Sequence, residues 1–393
     1  MNRLKMMRRC FLALIALSGL LVPASRLLGA EYFMYVGTYT NQGSQGSQGI
    51  YVWRFDAAAG KLTPLGLAAK SANPSFLAAH PNGHFLYAVN EVSHFEKMAR
   101  SGSVSAFAID PATGMLRLLN QQPSMGDGPC HLALDHQGKC LIVANYNNGS
   151  VASYPVSDDG LLNQSVAYFQ PKGSGKIPQR QDGPHAHCIA VSPDDRFALV
   201  ADLGLDEVMM YRLNAAAAHM EVSDPRFVKV APGSGPRHLA FHPNGRFVYL
   251  INEMGSSIIT FAYDPQAGTL QELQTVSTLP KDYKGENDTA EIQVHPSGKF
   301  VYGSNRGHDS IAVFAVDPKA GTLKLVENVA TQGKTPRGFG IDPTGAYLIA
   351  ANQQSNNIVV FRIDQTSGRL KPTGQVLDAL TPVAVTFVPA KKD

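Results

Sequence analysis

Residues 235–253, GPRHLAFHPNGRFVYLINE, are two alternating apolar runs joined by Pro243-Asn244-Gly245. A period of two on either side of such a turn cluster defines a β-hairpin. The hairpin recurs along the chain. PSFLAAHPNGHFLYAVNE begins at Pro74, PCHLALDHQGKCLIVANY at Pro129, AEIQVHPSGKFVYGSNR at Ala290 and PRGFGIDPTGAYLIAANQ at Pro336. HCIAVSPDDRFALVADL ends at Leu203, and a half-copy, PVAVTFVP, begins at Pro382. A period of roughly 50 residues restricts a chain to solenoids, arrays or propellers. Most copies are followed by a third apolar run, such as SVSAFAID (103–110) or SIAVFAVD (310–317), after which D-P-x-x-G-x-L turns into a fourth. Four short strands per repeat are the blade pattern of a β-propeller.

The last copy holds only its first strand. FMYVGTYT (33–40), GIYVWRFD (49–56) and LTPLGLAA (62–69) can supply its second, third and fourth. The prediction is therefore an all-β, seven-bladed β-propeller with four antiparallel strands per blade, residues 31–393 forming one domain. A blade shared between the N- and C-termini closes the ring and hides the first and last strand edges, which otherwise invite pairing with other chains.

Residues 1–30 stand apart. They carry five cations and no acid, with an apolar run from Phe11 to Val22 and an acceptable cleavage site at Leu28-Gly29-Ala30. This is the layout of a signal peptide, and Arg8-Arg9 resembles a twin-arginine pair. The expectation is an exported chain, periplasmic or secreted, free of the membrane after cleavage. The whole chain is +3 and its first thirty residues are +5, so residues 31–393 carry −2. That balance gives no basis for binding nucleic acid or an anionic membrane. Cys130, Cys140 and Cys188 are an odd number at irregular spacing and form no disulfide framework, although one pair is compatible with an oxidising compartment.

Superposing the copies on their turns aligns Arg237 with Ser75, Cys130, His187 and Arg337, and Glu253 with Glu91, Tyr146 and Arg306. In an antiparallel hairpin the start of one strand lies beside the end of the next, so both positions share the open end of a blade. If these are the inner strands, His187, Arg237, Glu253, Arg306, Arg337 and Glu91 converge on one mouth of the central channel. The residue preceding each Glu253 equivalent is commonly Asn, as at Asn145 and Asn252, where a strand-end tie competes with a binding role. His80, His242 and His295 stand at turns and are expected to be structural. His131 and His238 lie one residue out of the mouth register and are expected to face the neighbouring sheet. His185-x-His187 lacks a third ligand at a recognisable spacing, so neither a metal nor another cofactor is expected. The segment around Gly173-Ser174-Gly175 reads as either a lid or a loose connection.

These residues carry a resemblance. The chain from 31 to 393, best in 235–253, 290–306 and 336–345, is similar to the lactonase family of seven-bladed β-propellers, which includes bacterial 6-phosphogluconolactonase and the fungal carboxymuconate-cyclising enzymes. The resemblance implies a catalytic set of His187, Arg237, Glu253 and Arg306, with Arg337, Glu91, Asn145, Tyr146, Asn252 and His185 as substrate-binding candidates. It implies a lactone hydrolase, 6-phosphogluconolactonase-like, in which water attacks a sugar lactone without a metal and arginines stabilise the oxyanion. Either His187 or Glu253 can serve as the base. The alternatives are a lactonising carboxymuconate-type cycloisomerase using the same pocket, and a non-catalytic extracytoplasmic binding propeller. A six-bladed metal-dependent gluconolactonase is disfavoured by the count of seven. The expected partner is a small lactone or acidic sugar, and the expected state a monomer.

Overall fold

The computed structural model describes residues 31–40 and 46–390. The leader reading for residues 1–30 lies outside the described residues. Seven four-stranded antiparallel sheets are formed. The first strand of each repeat is the innermost: Leu77–Ala79, Pro129–Leu134, Ala186–Val191, Pro236–Phe241, Asp288–Val294, Pro336–Ile341 and Pro382–Pro389. Each contacts the next, and the last contacts the first, so the ring is closed. The closing blade is ordered Lys61–Lys70, Gly49–Asp56, Glu31–Thr38, Pro382–Pro389, with Tyr35 opposite Thr386. A two-stranded hairpin, His94–Phe95 with Met98–Ala99, is inserted in the blade that begins at Leu77 and has no counterpart in the repeat.

The core lies between blades. Phe247, Tyr249 and Ile251 of one sheet pack on Ile292, Val301 and Phe314 of the next. Each such side chain contributes about 1.5–3 kcal/mol by leaving water. Polar ties repeat with the same period. The Tyr249 hydroxyl donates to the Gly321 carbonyl at 2.9 Å, and Tyr302 does the same to Gly368. Gly321 has φ +72°, and a Cβ there would sit 2.5 Å from the Phe247 ring. The D-P-x-x-G turn thus requires glycine both for its backbone and for the blade contact. The turn histidines are structural: His80, His242 and His295 donate through Nε2 to the carbonyls of Gly138, Gly298 and Gly345 in the next blade.

A chain truncated after Leu380 loses the strand Pro382–Pro389, which is paired along Glu31–Thr38 and buries Val383, Ala384 and Val388. It leaves one edge of Glu31–Thr38 unpaired and breaks the contacts that join the strands Pro336–Ile341 and Leu77–Ala79 around the ring. The expected outcome is loss of cooperative thermal unfolding and aggregation on size exclusion. A sharp melt at the full-length midpoint would contradict the closure account.

Candidate active site

Along four inner strands the pairing skips one residue. Pro236 pairs with Asn252 and His238 with Ile251, leaving Arg237 unpaired. Cys130, His187 and Arg337 are skipped in the same way. A bulge of this kind re-aims the extra residue and breaks the alternation of sides. The skipped residue and its successor both reach the channel. Its lining includes Cys130, His187, Arg237 and Arg337, but also His238, Phe76 and Glu291. His131 and His238 touch the neighbouring sheet as expected, His131 Nδ1 accepting from the Ile189 N–H at 3.3 Å and His238 Nδ1 lying 3.2 Å from Glu291 Oε1, and they also meet one another in the channel. The His131 ring lies 3.9 Å from Phe76, and the His238 ring 5.2 Å from both His131 and His187.

Glu253, 5% exposed, is the hub of the mouth. Its Oε2 accepts from Arg237 Nε at 2.8 Å and lies 2.9 Å from an Arg306 terminal nitrogen. Its Oε1 accepts from Arg180. Burial pushes the Glu253 carboxyl up, but Arg306, Arg237 and Arg180 outweigh it and hold the group down at about 2. Arg306 shows the opposite balance. Its burial, with Arg237 and Arg337 nearby, outweighs the attraction of Glu253 and lowers it to about 10, still charged at neutral pH. Arg237 also donates to the Ala290 carbonyl at 2.8 Å, and Arg306 to that of Thr289 at 2.9 Å. The buried Arg306 Nε is left without a partner. Arg337 lies over the Tyr39 ring at 5.4 Å, and the Tyr39 hydroxyl donates to Glu91 at 2.9 Å.

His187 is buried beside this cluster, with Tyr146 edge-on at 5.4 Å. Burial and then the charge of Arg237 lower it well below the ordinary histidine range, so the ring is neutral at pH 7. Its Nδ1 is buried without a partner.

Three binding candidates are engaged elsewhere. The Asn145 amide donates to the Ser124 carbonyl at 3.1 Å and to Ser150 Oγ at 3.0 Å. The Asn252 amide donates to Ser257 Oγ at 3.0 Å. These amide bonds are strand-end ties, while Oδ1 of each residue is buried without a partner. His185 stacks on Tyr146 at 4.6 Å, with Nδ1 on the Tyr146 carbonyl at 2.8 Å and Nε2 3.2 Å from Asp182. No nitrogen of His185 is left for a ligand. Cys130, Cys140 and Cys188 are buried and free, so the possible pair is not formed.

Arg180 was not legible in the sequence. It belongs to the Gly173–Gly183 segment, which has no equivalent in the other repeats. Buried Gln181 pins that segment, donating to the Leu203 carbonyl at 2.8 Å and accepting from the Ile177 N–H at 3.0 Å. Arg180 thereby reaches Glu253 and stands 3.9 Å from Asp288. The segment lies at the mouth, and its one available signal was a cation in an insert just ahead of His187.

The fold is a seven-bladed propeller whose channel mouth gathers arginines around one carboxylate, beside a neutral histidine. Residues 33–387 match the family model described as lactonase, 7-bladed beta-propeller. The chain belongs to that lactonase family, and it is an enzyme of the carboxylic ester hydrolase class. It is 38% identical over 312 residues to the 6-phosphogluconolactonase of Bacillus subtilis strain 168, covering 79% of this chain and 85% of that one. It is 36% identical over 312 residues to the 6-phosphogluconolactonase of Formosa agariphila, covering 79% and 86%. Among solved structures it is similar to the periplasmic gluconolactonase of Pseudomonas aeruginosa, with a TM-score of 0.84 and 36% identity, covering 92% of this chain and 100% of that one.

Proposed function

We propose that this chain opens a sugar δ-lactone of the gluconolactone or 6-phosphogluconolactone type by direct attack of water, with no metal ion in the reaction. The observation that carries this reading is a neutral, buried His187 with an unpartnered Nδ1 beside the Arg237–Glu253–Arg306 cluster. Water needs a base at the moment of attack, and a neutral imidazole can take its proton. Glu253, held at about 2 by its arginines, is a poor base at neutral pH. Its work is to fix the guanidinium planes. The new C–O bond places negative charge on the carbonyl oxygen. Arg306 Nε, an unpaired buried donor, and Arg337, which lies over the Tyr39 ring, are suited to that charge. Collapse breaks the ring C–O bond, and the imidazolium returns its proton to the departing ring oxygen, leaving the hydroxy acid.

Export belongs to the same proposal. It is supported by the leader-like composition of residues 1–30 and by likeness to a gluconolactonase described as periplasmic.

The test is hydrolysis of δ-gluconolactone and 6-phosphogluconolactone by the purified chain, with the spontaneous rate subtracted, with and without EDTA. Turnover of at least one substrate, unchanged by EDTA, is expected. No turnover of either above the spontaneous rate would sink the reading and direct attention to lactonisation of an unsaturated diacid in the same pocket. Loss of turnover in EDTA would overturn the metal-free step.

A further inference from the structure

Below the mouth, three consecutive blades each place a metal-ligating side chain at the same structural position, directly after the skipped residue. These are His131, Cys188 and His238. The next blade adds Glu291 at the equivalent place. Because the inner strands surround the channel, side chains aimed inward at one height must meet. One ligand atom from each of the three lies within 4.8 Å of the others, and the residues are 6%, 2% and 4% exposed.

We propose that His131, Cys188 and His238 form a binding site for one thiophilic divalent cation, of the zinc type, in the floor of the channel. The Cys188 Sγ to His131 Nε2 distance is 3.5 Å. Tetrahedral zinc, with bonds of about 2.0–2.1 Å to nitrogen and 2.3 Å to sulfur, separates those two ligands by about 3.5 Å. His238 Nδ1 is 3.2 Å from Glu291 Oε1, and that carboxylate also accepts from the Ile292 N–H at 3.0 Å. A carboxylate on one ring nitrogen sets the tautomer and presents the other nitrogen to a metal. The Leu239 N–H points at Cys188 Sγ from 3.4 Å and can donate to a metal-bound sulfur. Two imidazoles and a sulfur select zinc or its soft neighbours over magnesium and calcium, which take oxygen ligands.

Uptake balances simply. The cation replaces the Cys188 thiol proton, which leaves to solvent, and no electron is transferred. His131 Nδ1 accepts from the Ile189 N–H at 3.3 Å in the metal-free protein. Ligation through Nε2 moves the ring proton to Nδ1 and gives up that long bond. The thiolate and the Glu291 carboxylate together match the two charges of the ion. The competing description is a hydrogen-bonded packing cluster, in which His131 donates to Cys188 and stacks on Phe76.

The test is titration of the chelator-treated full chain with cobalt(II) chloride, read by absorbance. Expected are visible bands of a tetrahedral ion and a near-ultraviolet thiolate charge-transfer band, saturating at one ion per chain and bleached by zinc but not by magnesium. Cys188→Ser should remove the charge-transfer band, while Cys130→Ser and Cys140→Ser keep it. Glu291→Gln should weaken binding about 10–100-fold. X-ray absorption on the cobalt-loaded wild type should show one sulfur and two imidazole nitrogens, which holds the test open if Cys188→Ser fails to fold. No cobalt bands on the folded chain, a charge-transfer band that survives Cys188→Ser, or a first shell without sulfur would each overturn the site. None of these readouts involves hydrolysis, so the proposed activity stands or falls separately.

Discussion

Arg237→Ala is expected to reduce kcat/KM for the preferred lactone about 10²-fold, the loss usual when reacting groups are misplaced, because Arg237 fixes Glu253 and through it Arg306. Arg237 is 2% exposed, and two of its nitrogens are spent on Glu253 and the Ala290 carbonyl. Those bonds fix the guanidinium plane across two blades before substrate arrives, so no reorganisation is needed during attack. Arg237→Lys should be nearly as damaging, because an ammonium is a single point of charge and cannot hold both partners in a planar fork. Both variants should be compared by circular dichroism and thermal melting, so that a folding defect is not mistaken for lost chemistry. A folded Arg237→Ala chain retaining more than a third of wild-type kcat/KM would remove Arg237 from the mechanism.

Glu253→Gln is expected to destabilise the fold by about 3–5 kcal/mol at pH 7, the usual cost of removing one partner from a buried ionic group. The amide keeps the shape but leaves Arg237, Arg306 and Arg180 facing one another without their shared anion. The pH dependence has a definite sign. Glu253 is held at about 2, against 4.5 ordinarily. A depressed acid contributes stability that is complete above its unfolded value and is lost as pH falls through its folded value. The span corresponds to about 3 kcal/mol, which the wild type should lose between pH 4.5 and 2. The difference between wild type and Glu253→Gln should therefore be largest at neutral pH and shrink towards pH 2. Denaturant midpoints at pH 7, 4.5 and 3 check this. Parallel curves for the two proteins over that range would show that Glu253 does not carry the charge linkage assigned to it.

Much of the site was readable because the repeat preserves its irregularities. The extra residue recurs in several blades, so aligning copies on their turns placed His187, Arg237 and Arg337 at one level without any knowledge of the bulge. The same alignment placed His131 and His238 against the neighbouring sheet, which they touch, but did not show that they also meet one another in the channel. Strict alternation requires that successive residues face opposite ways, and a bulge is visible only against the register of the partner strand. Arg180 escaped because a segment without an equivalent cannot be placed by symmetry. Asn145 and Asn252 shared the right level, but their amides are spent on neighbouring serines, in the case of Asn145 also on the preceding blade.

Alternating hairpins at roughly 50-residue intervals, with a missing strand at one end and three spare strands at the other, determined the propeller, its seven blades and its closure. These follow from local periodicity and chain connectivity, which a sequence contains in full. Only the tertiary structure decided that Glu253 is an anion held by three arginines, that His187 is neutral, and that His131, Cys188 and His238 meet in the channel. Burial and charge at those positions are sums over residues from several blades, many of them 50 or more positions apart along the chain, and they take values only once the ring has closed.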